Sequence, residues 1–353
     1  MTSTSCKYIL DELGHATSIY TADQWVNGLG PTHIYHWDKT EIDICRSIDK
    51  AGIKGEDILF VHCDPCDSVP VRNSKLSRAT YMVSYGWDMR YMPSNTVSNM
   101  KEACINLFIS LVSKPLTKTF ISGGIDSVWM PATFIQSKES MSCTDLDFED
   151  DGRMYSLAYT GSFEGDVGKY RRSIINPLLD AMVPLDVHAD MFWYYIGQIK
   201  HTNRFNHLSE EDKLTAMREC GGRCYSYCNE FYNKHIGTIN TYRKAQDDNG
   251  EHMVTRMFNA TASKSCLFQL RPTEDSGFYE VFKDMDTCII WNDVDHLISL
   301  AEKYIMEDPQ VSIDISKKAY QLYEGILNQK TLRSQLVDFV SNKKPLPEFC
   351  RYK

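Results

Sequence analysis

The sequence predicts an α/β protein built of two Rossmann-like domains whose parallel sheets face a central cleft. Three observations lead there. Compact apolar runs alternate with amphipathic stretches along most of the chain. The alternation occurs twice, on either side of a polar, acidic and weakly periodic segment at 140–153, SMSCTDLDFEDDGR. Several runs end in small-residue turns, which place backbone N–H groups at the carboxyl end of a strand. With 353 residues the chain is long enough for two domains. The first is set at 1–145 and the second at 153–327. A basic tail, 328–353, is expected to pack back on the first.

In chain order, Cys6–Leu13 is a short amphipathic stretch, Thr17–Tyr20 and His33–Trp37 read as strands, and Glu41–Ala51 has helical spacing ending at Gly52. Asp57–His62 (DILFVH) and Ala79–Ser84 (ATYMVS) are compact strands of the fully buried kind. Thr96–Val112 reads as a helix ending before Lys114-Pro115, and Lys118–Ser122 as a strand closed by Gly123-Gly124. Beyond the linker, Tyr155–Tyr159 is a strand followed by Thr160-Gly161-Ser162. Arg171–Met182 is helical with a possible break at Pro177, and Leu214–Phe231 is helical around Gly221-Gly222. Ile236–Asn240, Ser265–Leu270 and Thr287–Trp291 are strands. Val254–Ala262, Asp293–Met306 and Ile313–Leu327 are helices, the last two with apolar residues three and four apart.

Composition narrows the function. The formal charge of −9 supplies no global basic field for nucleic acid, so a polyanion would need a local groove. The longest apolar stretch, near Ile105–Val112, is far short of the ~20 residues that span a bilayer. The N-terminus lacks the basic and apolar regions of a signal peptide, and a cytoplasmic protein without a membrane partner is expected. The 12 cysteines then read as reduced thiols. Two clusters, Cys63 and Cys66 beside His62, and Cys220, Cys224 and Cys228 before His235, are read as core residues ahead of metal sites.

Three segments carry chemistry. Tyr159-Thr160-Gly161-Ser162-Phe163, with Lys169, Arg171 and Arg172 following, is a strand, a small turn and a helix start. That geometry suits an anion, though a surface turn with solvated cations has the same pattern. Arg256 and Asn259, three apart, lie on one helix face and suit a pyrophosphate and a ribose hydroxyl, or a plain polar pair. Asp88 follows a buried strand within Tyr85-Gly86-Trp87-Asp88-Met89-Arg90, where a carboxylate can accept a proton or simply cap and pair with Arg90. Three D-x-D patterns, at Asp145 and Asp147, Asp284 and Asp286, and Asp293 and Asp295, are cheap in an acidic chain.

Taken in order, these pieces resemble the GT-B glycosyltransferases. The nearest pattern is the DNA β-glucosyltransferase type of bacteriophages, and CgeB-like glycosyltransferases are more distant. TYMVSYGWDMRYMP is similar to a strand followed by D-x-R-x-x-P, which Asp88, Arg90 and Pro93 match. AYTGSF is similar to the turn that opens the nucleotide-sugar domain. VTRMFNATASKSCLF is similar to R-x-[WF]-E-x-x-A, with Arg256 on the Arg and Asn259 where that family has Glu. Two further departures are a longer turn after Phe163 and an opening without a clear first strand and glycine loop.

The resemblance implies an inverting transfer from a nucleotide diphosphate sugar, most simply a UDP-sugar, with no cofactor or metal required. Asp88 would be the base. Gly161, Ser162, Lys169 or Arg172, and Arg256 would hold the diphosphate, Asn259 the ribose, and Glu251 or His252 the donor sugar. Trp87 and Arg90 would lie on the acceptor side. The leading acceptor implied is a hydroxymethylated pyrimidine in double-stranded phage-type DNA. The alternatives are a protein or glycan acceptor, or a nucleotide-sugar-binding protein without catalysis.

Overall fold

The structure, a computed structural model, describes residues 58–62, 81–86, 96–102, 105–111, 114–131, 133, 145–161, 165–189, 229–241, 255–340 and 344–351. The stretches expected before residue 57 and both cysteine clusters lie outside the described residues. The chain divides into two compact units. One is Met1–Ile135, Leu208–Thr215 and Leu332–Lys353; the other is Gln136–His207 and Ala216–Thr331.

The first unit holds four parallel strands, β1 (Ile58–His62), β2 (Tyr81–Gly86), β3 (Leu107–Ser110) and β4 (Asp126–Trp129), in the order β1-β2-β3-β4. Helix α1 (Thr96–Glu102) connects β2 to β3, and α2 (Pro115–Ser122) connects β3 to β4. Two sequence readings are corrected here. The expected helix Thr96–Val112 stops at Glu102, and the apolar run after it is β3. Every residue of β3 is buried, so neither a period of two nor one of 3.6 shows in its sequence. The expected strand Lys118–Ser122 is the second half of α2. Pro115 occupies the first turn, where its missing N–H costs nothing, and Gly124 adopts φ 81° just past the end. Val83, Leu107, Ile109 and Val128 share a core with Leu332, Leu336, Leu346 and Cys350 from the C-terminal segment.

The second unit holds five parallel strands, β5 (Met154–Gly161), β6 (Leu185–Ala189), β7 (His235–Asn240), β8 (Cys266–Leu270) and β9 (Ile289–Trp291), in the order β6-β5-β7-β8-β9. β6 is a strand the sequence reading missed. Helix α3 (Gly165–Asp180) links β5 to β6 and runs through Pro177 unbroken, anchored by the buried Ile174, Ile175 and Leu178. Helix α4 (Thr255–Ala262) links β7 to β8. Beyond β9 lie α5 (Val294–Ala301) and α6 (Pro309–Leu322), each extended by a wider turn, Glu302–Glu307 and Tyr323–Leu327. Helix α7 (Gln329–Val340) follows. Leu157 and Tyr159 of β5, Ile239 of β7 and Phe268 of β8 centre the core.

Candidate active site

From β5 the chain steps outward to β6, then returns past β5 to place β7 on its other side. The strand order therefore reverses between β5 and β7. In an open parallel sheet the crevice at the carboxyl ends of two such strands is where ligands bind, because the two connections leave in opposite directions. Gly161 ends β5 and Asn240 ends β7. Helices α3 and α4 each follow one of these strands, so both start at that edge of the sheet.

Two guanidinium groups meet there. A methyl group on Gly161 would lie 3.0 Å from Arg256 Nη2, 3.1 Å from Arg171 Nη1 and 3.0 Å from the Tyr159 hydroxyl. Only a bare backbone leaves this room, so the glycine is needed for close approach. Arg256, the second residue of α4, is half-buried. Its guanidinium lies 5.1 Å from the centre of the Tyr159 ring, and its Nη1 donates to Asn240 Oδ1 at 3.2 Å. Asn240 Nδ2 donates to Gln269 Oε1 at 2.8 Å. Two cations and two helix N-termini at one strand end make a site for an anion with several oxygens.

The residues named from sequence fall into four groups. Gly161 and Arg256 come together. Lys169 and Arg172 lie exposed on the outer face of α3, while Arg171 is half-buried on the sheet side. The reason is helical phase: the stripe Ile174, Ile175 and Leu178 continues backward in steps of three and four to Arg171 and the buried Gly168. Asn259 is buried within α4, 4% exposed, and its Oδ1 has no hydrogen-bond partner among the described residues. Trp87, Asp88, Arg90, Ser162, Glu251 and His252 lie outside the described residues. Asp88 follows the carboxyl end of β2 by two residues, Ser162 follows Gly161 directly, and Glu251 and His252 precede α4. The resemblance gives Arg171 no role, and the sequence does not single out Asn240 or Gln269. Extending the apolar stripe of α3 would have found the first. An amide ending one apolar strand, and another in the next, was the available sign of the others.

The D-x-D patterns have structural uses. Asp147 pairs with Lys264 Nζ at 2.5 Å, and that ammonium holds its carboxyl below the usual carboxylate range. Asp284 accepts from the Ile290 N–H at 2.9 Å, Asp286 pairs with Lys318 at 2.9 Å, and Asp293 caps α5 by accepting from the His296 N–H at 2.9 Å. Among the described residues no three His, Cys, Asp or Glu side chains are grouped to hold a metal ion. At the amino ends of the strands, Ser156 Oγ bonds to His235 Nδ1 at 2.8 Å, and Asp186 Oδ2 faces His235 Nε2 at 3.4 Å. Burial pulls the His235 pKa down to about 4, against the smaller upward pull of Asp186, so the ring is neutral and fixed.

No protein-family model matches the sequence, and no curated protein matches it. Solved structures match its fold. A glycosyltransferase from Rickettsia africae aligns over 97% of this chain and 94% of its own, at 9% identity and a TM-score of 0.52. HepE of Anabaena, solved with UDP-glucose, aligns over 95% of this chain and 88% of its own, at 10% identity and a TM-score of 0.51. TarM of S. aureus aligns over 86% of this chain at 10% identity and a TM-score of 0.51, but this chain spans only 58% of TarM. The fold is GT-B. Among the described residues no helix is long and apolar enough to cross a membrane.

Proposed function

We propose that the protein is a glycosyltransferase that moves a sugar from a nucleotide diphosphate sugar to an acceptor hydroxyl with inversion. The observation that carries this reading is the convergence of Arg171 and Arg256 on the bare backbone of Gly161 at the switch point of the second sheet. A diphosphate fits that setting: bidentate guanidinium groups match its oxygens, and the helix ends add fixed positive potential. The structure of HepE with UDP-glucose supports a UDP-sugar as donor.

In this reading the acceptor oxygen attacks the anomeric carbon as the bond from that carbon to the diphosphate oxygen breaks. Asp88 takes the hydroxyl proton. The charge that develops on the departing diphosphate is stabilised by Arg256 and by Arg171, which takes the role read from sequence as Lys169 or Arg172. Ser162 adds its backbone N–H beside Gly161, Asn259 serves the ribose, and Glu251 or His252 meets the donor sugar. For the acceptor, the resemblance to the phage enzymes favours a hydroxymethylated pyrimidine in duplex DNA, flipped out of the stack. The charge of −9 weighs instead toward a protein or glycan hydroxyl.

A thermal-shift panel of uridine, adenosine, guanosine, cytidine and thymidine diphosphates tests the donor reading, since a ligand that binds only the folded state raises the midpoint. At least one is expected to raise it, with no metal added. No shift with any of them contradicts the proposal. Asp88→Asn is expected to keep that shift and to lower transfer by roughly a hundredfold or more; unchanged transfer removes Asp88 from the mechanism. Salt-sensitive binding of hydroxymethylated duplex favours the DNA acceptor, and turnover on a saccharide without DNA affinity favours the alternative.

A further inference from the structure

Arg256 is aimed at Gly161 by a chain of neutral amides, and that chain has a fixed polarity. The carbonyl of Leu270 can only accept, and it takes a hydrogen bond from Gln269 Nε2 at 2.8 Å. This sets the nitrogen of the Gln269 amide toward Leu270 and leaves Oε1 facing β7. Oε1 accepts from Asn240 Nδ2 at 2.8 Å, so Asn240 presents its oxygen on the opposite side. That oxygen accepts from Arg256 Nη1 at 3.2 Å. Asn240 and Gln269 are cross-strand partners in the β7–β8 register, and both are fully buried. Turning either amide over would set donor against donor or acceptor against acceptor, in a place where water cannot repair the loss.

The choice of amides has an electrostatic consequence. A carboxylate at position 240 would hold the guanidinium equally well but would neutralise it. An amide supplies the directional bond with no counter-charge. We propose that the Asn240–Gln269 relay is a positioning device of the donor site, which fixes Arg256 over Gly161 while keeping its full charge for the diphosphate. Asn240 and Gln269 need no contact with the ligand. The proposal rests on the reading of this crevice as a diphosphate site.

Asn240→Asp and Gln269→Met test it from the two ends of the chain. The probe is a nucleoside diphosphate that the wild type binds, UDP or another of the panel, compared with its own nucleoside. The diphosphate is titrated by calorimetry and the nucleoside is followed by ligand-observed NMR. In Asn240→Asp the new carboxylate pairs with Arg256. Affinity for the diphosphate is expected to fall about tenfold or more, the worth of one charge-assisted contact, with a shallower salt dependence. Affinity for the nucleoside is expected to stay within error, while the melting midpoint falls, because the new carboxylate sets an acceptor against the buried Gln269 Oε1. In Gln269→Met the Asn240 amide loses the acceptor that orients it, and the same contrast between diphosphate and nucleoside is expected at smaller size. A merely structural role for the amides would lower both affinities together. If both variants bind the diphosphate as the wild type does, or lose diphosphate and nucleoside alike, the relay is overturned and the donor reading stands. If the wild type binds no nucleoside diphosphate, the donor reading fails and the relay falls with it.

Discussion

At Gly161 the absence of a side chain is the functional feature. Gly161→Ala would push a methyl group to 3.0–3.1 Å from two guanidinium nitrogens and a hydroxyl, all ends of long side chains that can give way. Gly161 also holds φ 159°, which L residues rarely adopt, so the variant should lose some stability as well as nucleoside diphosphate affinity, the latter about tenfold by displacement of the arginines. An unchanged affinity would mean that the three groups do not act on the ligand. Arg171 and Arg172 provide a charge-matched pair. Arg171→Ala should lower the same affinity about tenfold or more, while the exposed Arg172→Ala should change it little, apart from a small salt-sensitive part. His235 gives a prediction in pH. Its folded pKa of about 4 lies below the ordinary 6.5, so the unfolded chain binds a proton first as the pH falls. Its stabilising contribution is complete above about 6.5 and is lost between 6.5 and 4, by on the order of 3 kcal/mol in total. Melting midpoints measured from pH 7 to pH 4 should fall, and His235→Gln should flatten that fall.

Among the elements, β5, β7, β8, α5 and α6 were readable from the sequence because their apolar residues lie in compact runs or at helical spacing, whereas α7 lies in the stretch read only as a basic tail. The stretch 96–129 misled for a physical reason. Complete burial removes periodicity from β3, and a proline opening α2 looks from sequence alone like the end of a helix. The same limit applied at the site. Gly161 ends a strand before a small-residue turn and Arg256 opens a helix, both recognisable in sequence, whereas Asn240 and Gln269 acquire meaning only once β7 and β8 are placed in register. Gly237 of β7 shows how tightly these strands are covered. A methyl group there would meet Leu157 Cδ2 at 2.7 Å, Phe268 Cε2 at 2.9 Å and Ile305 Cδ1 at 3.2 Å. Gly237→Ala is expected to cost about 1–3 kcal/mol by overpacking, read as a lower denaturation midpoint with an unchanged slope. An unchanged midpoint would mean that the core around β7 yields freely.

Over the whole molecule, two units each organise their own parallel sheet, and the C-terminal segment belongs to the core of the first. Leu332 and Leu336 are buried against residues of β2, β3 and β4. Leu332→Ala should cost about 2–5 kcal/mol, and amide exchange should rise in β3 and β4 before it rises in β5 or β7. Equal loosening of both sheets would contradict that assignment. The GT-B architecture is thus read from topology, while the chemistry is argued from a few side chains at one strand crossing. A crystal structure of the protein with UDP examines that crossing most directly. Both phosphates are predicted to lie against the Gly161 backbone, within hydrogen-bond reach of Arg171 and Arg256. Density for UDP elsewhere, with the two guanidinium groups left facing solvent, would contradict the account.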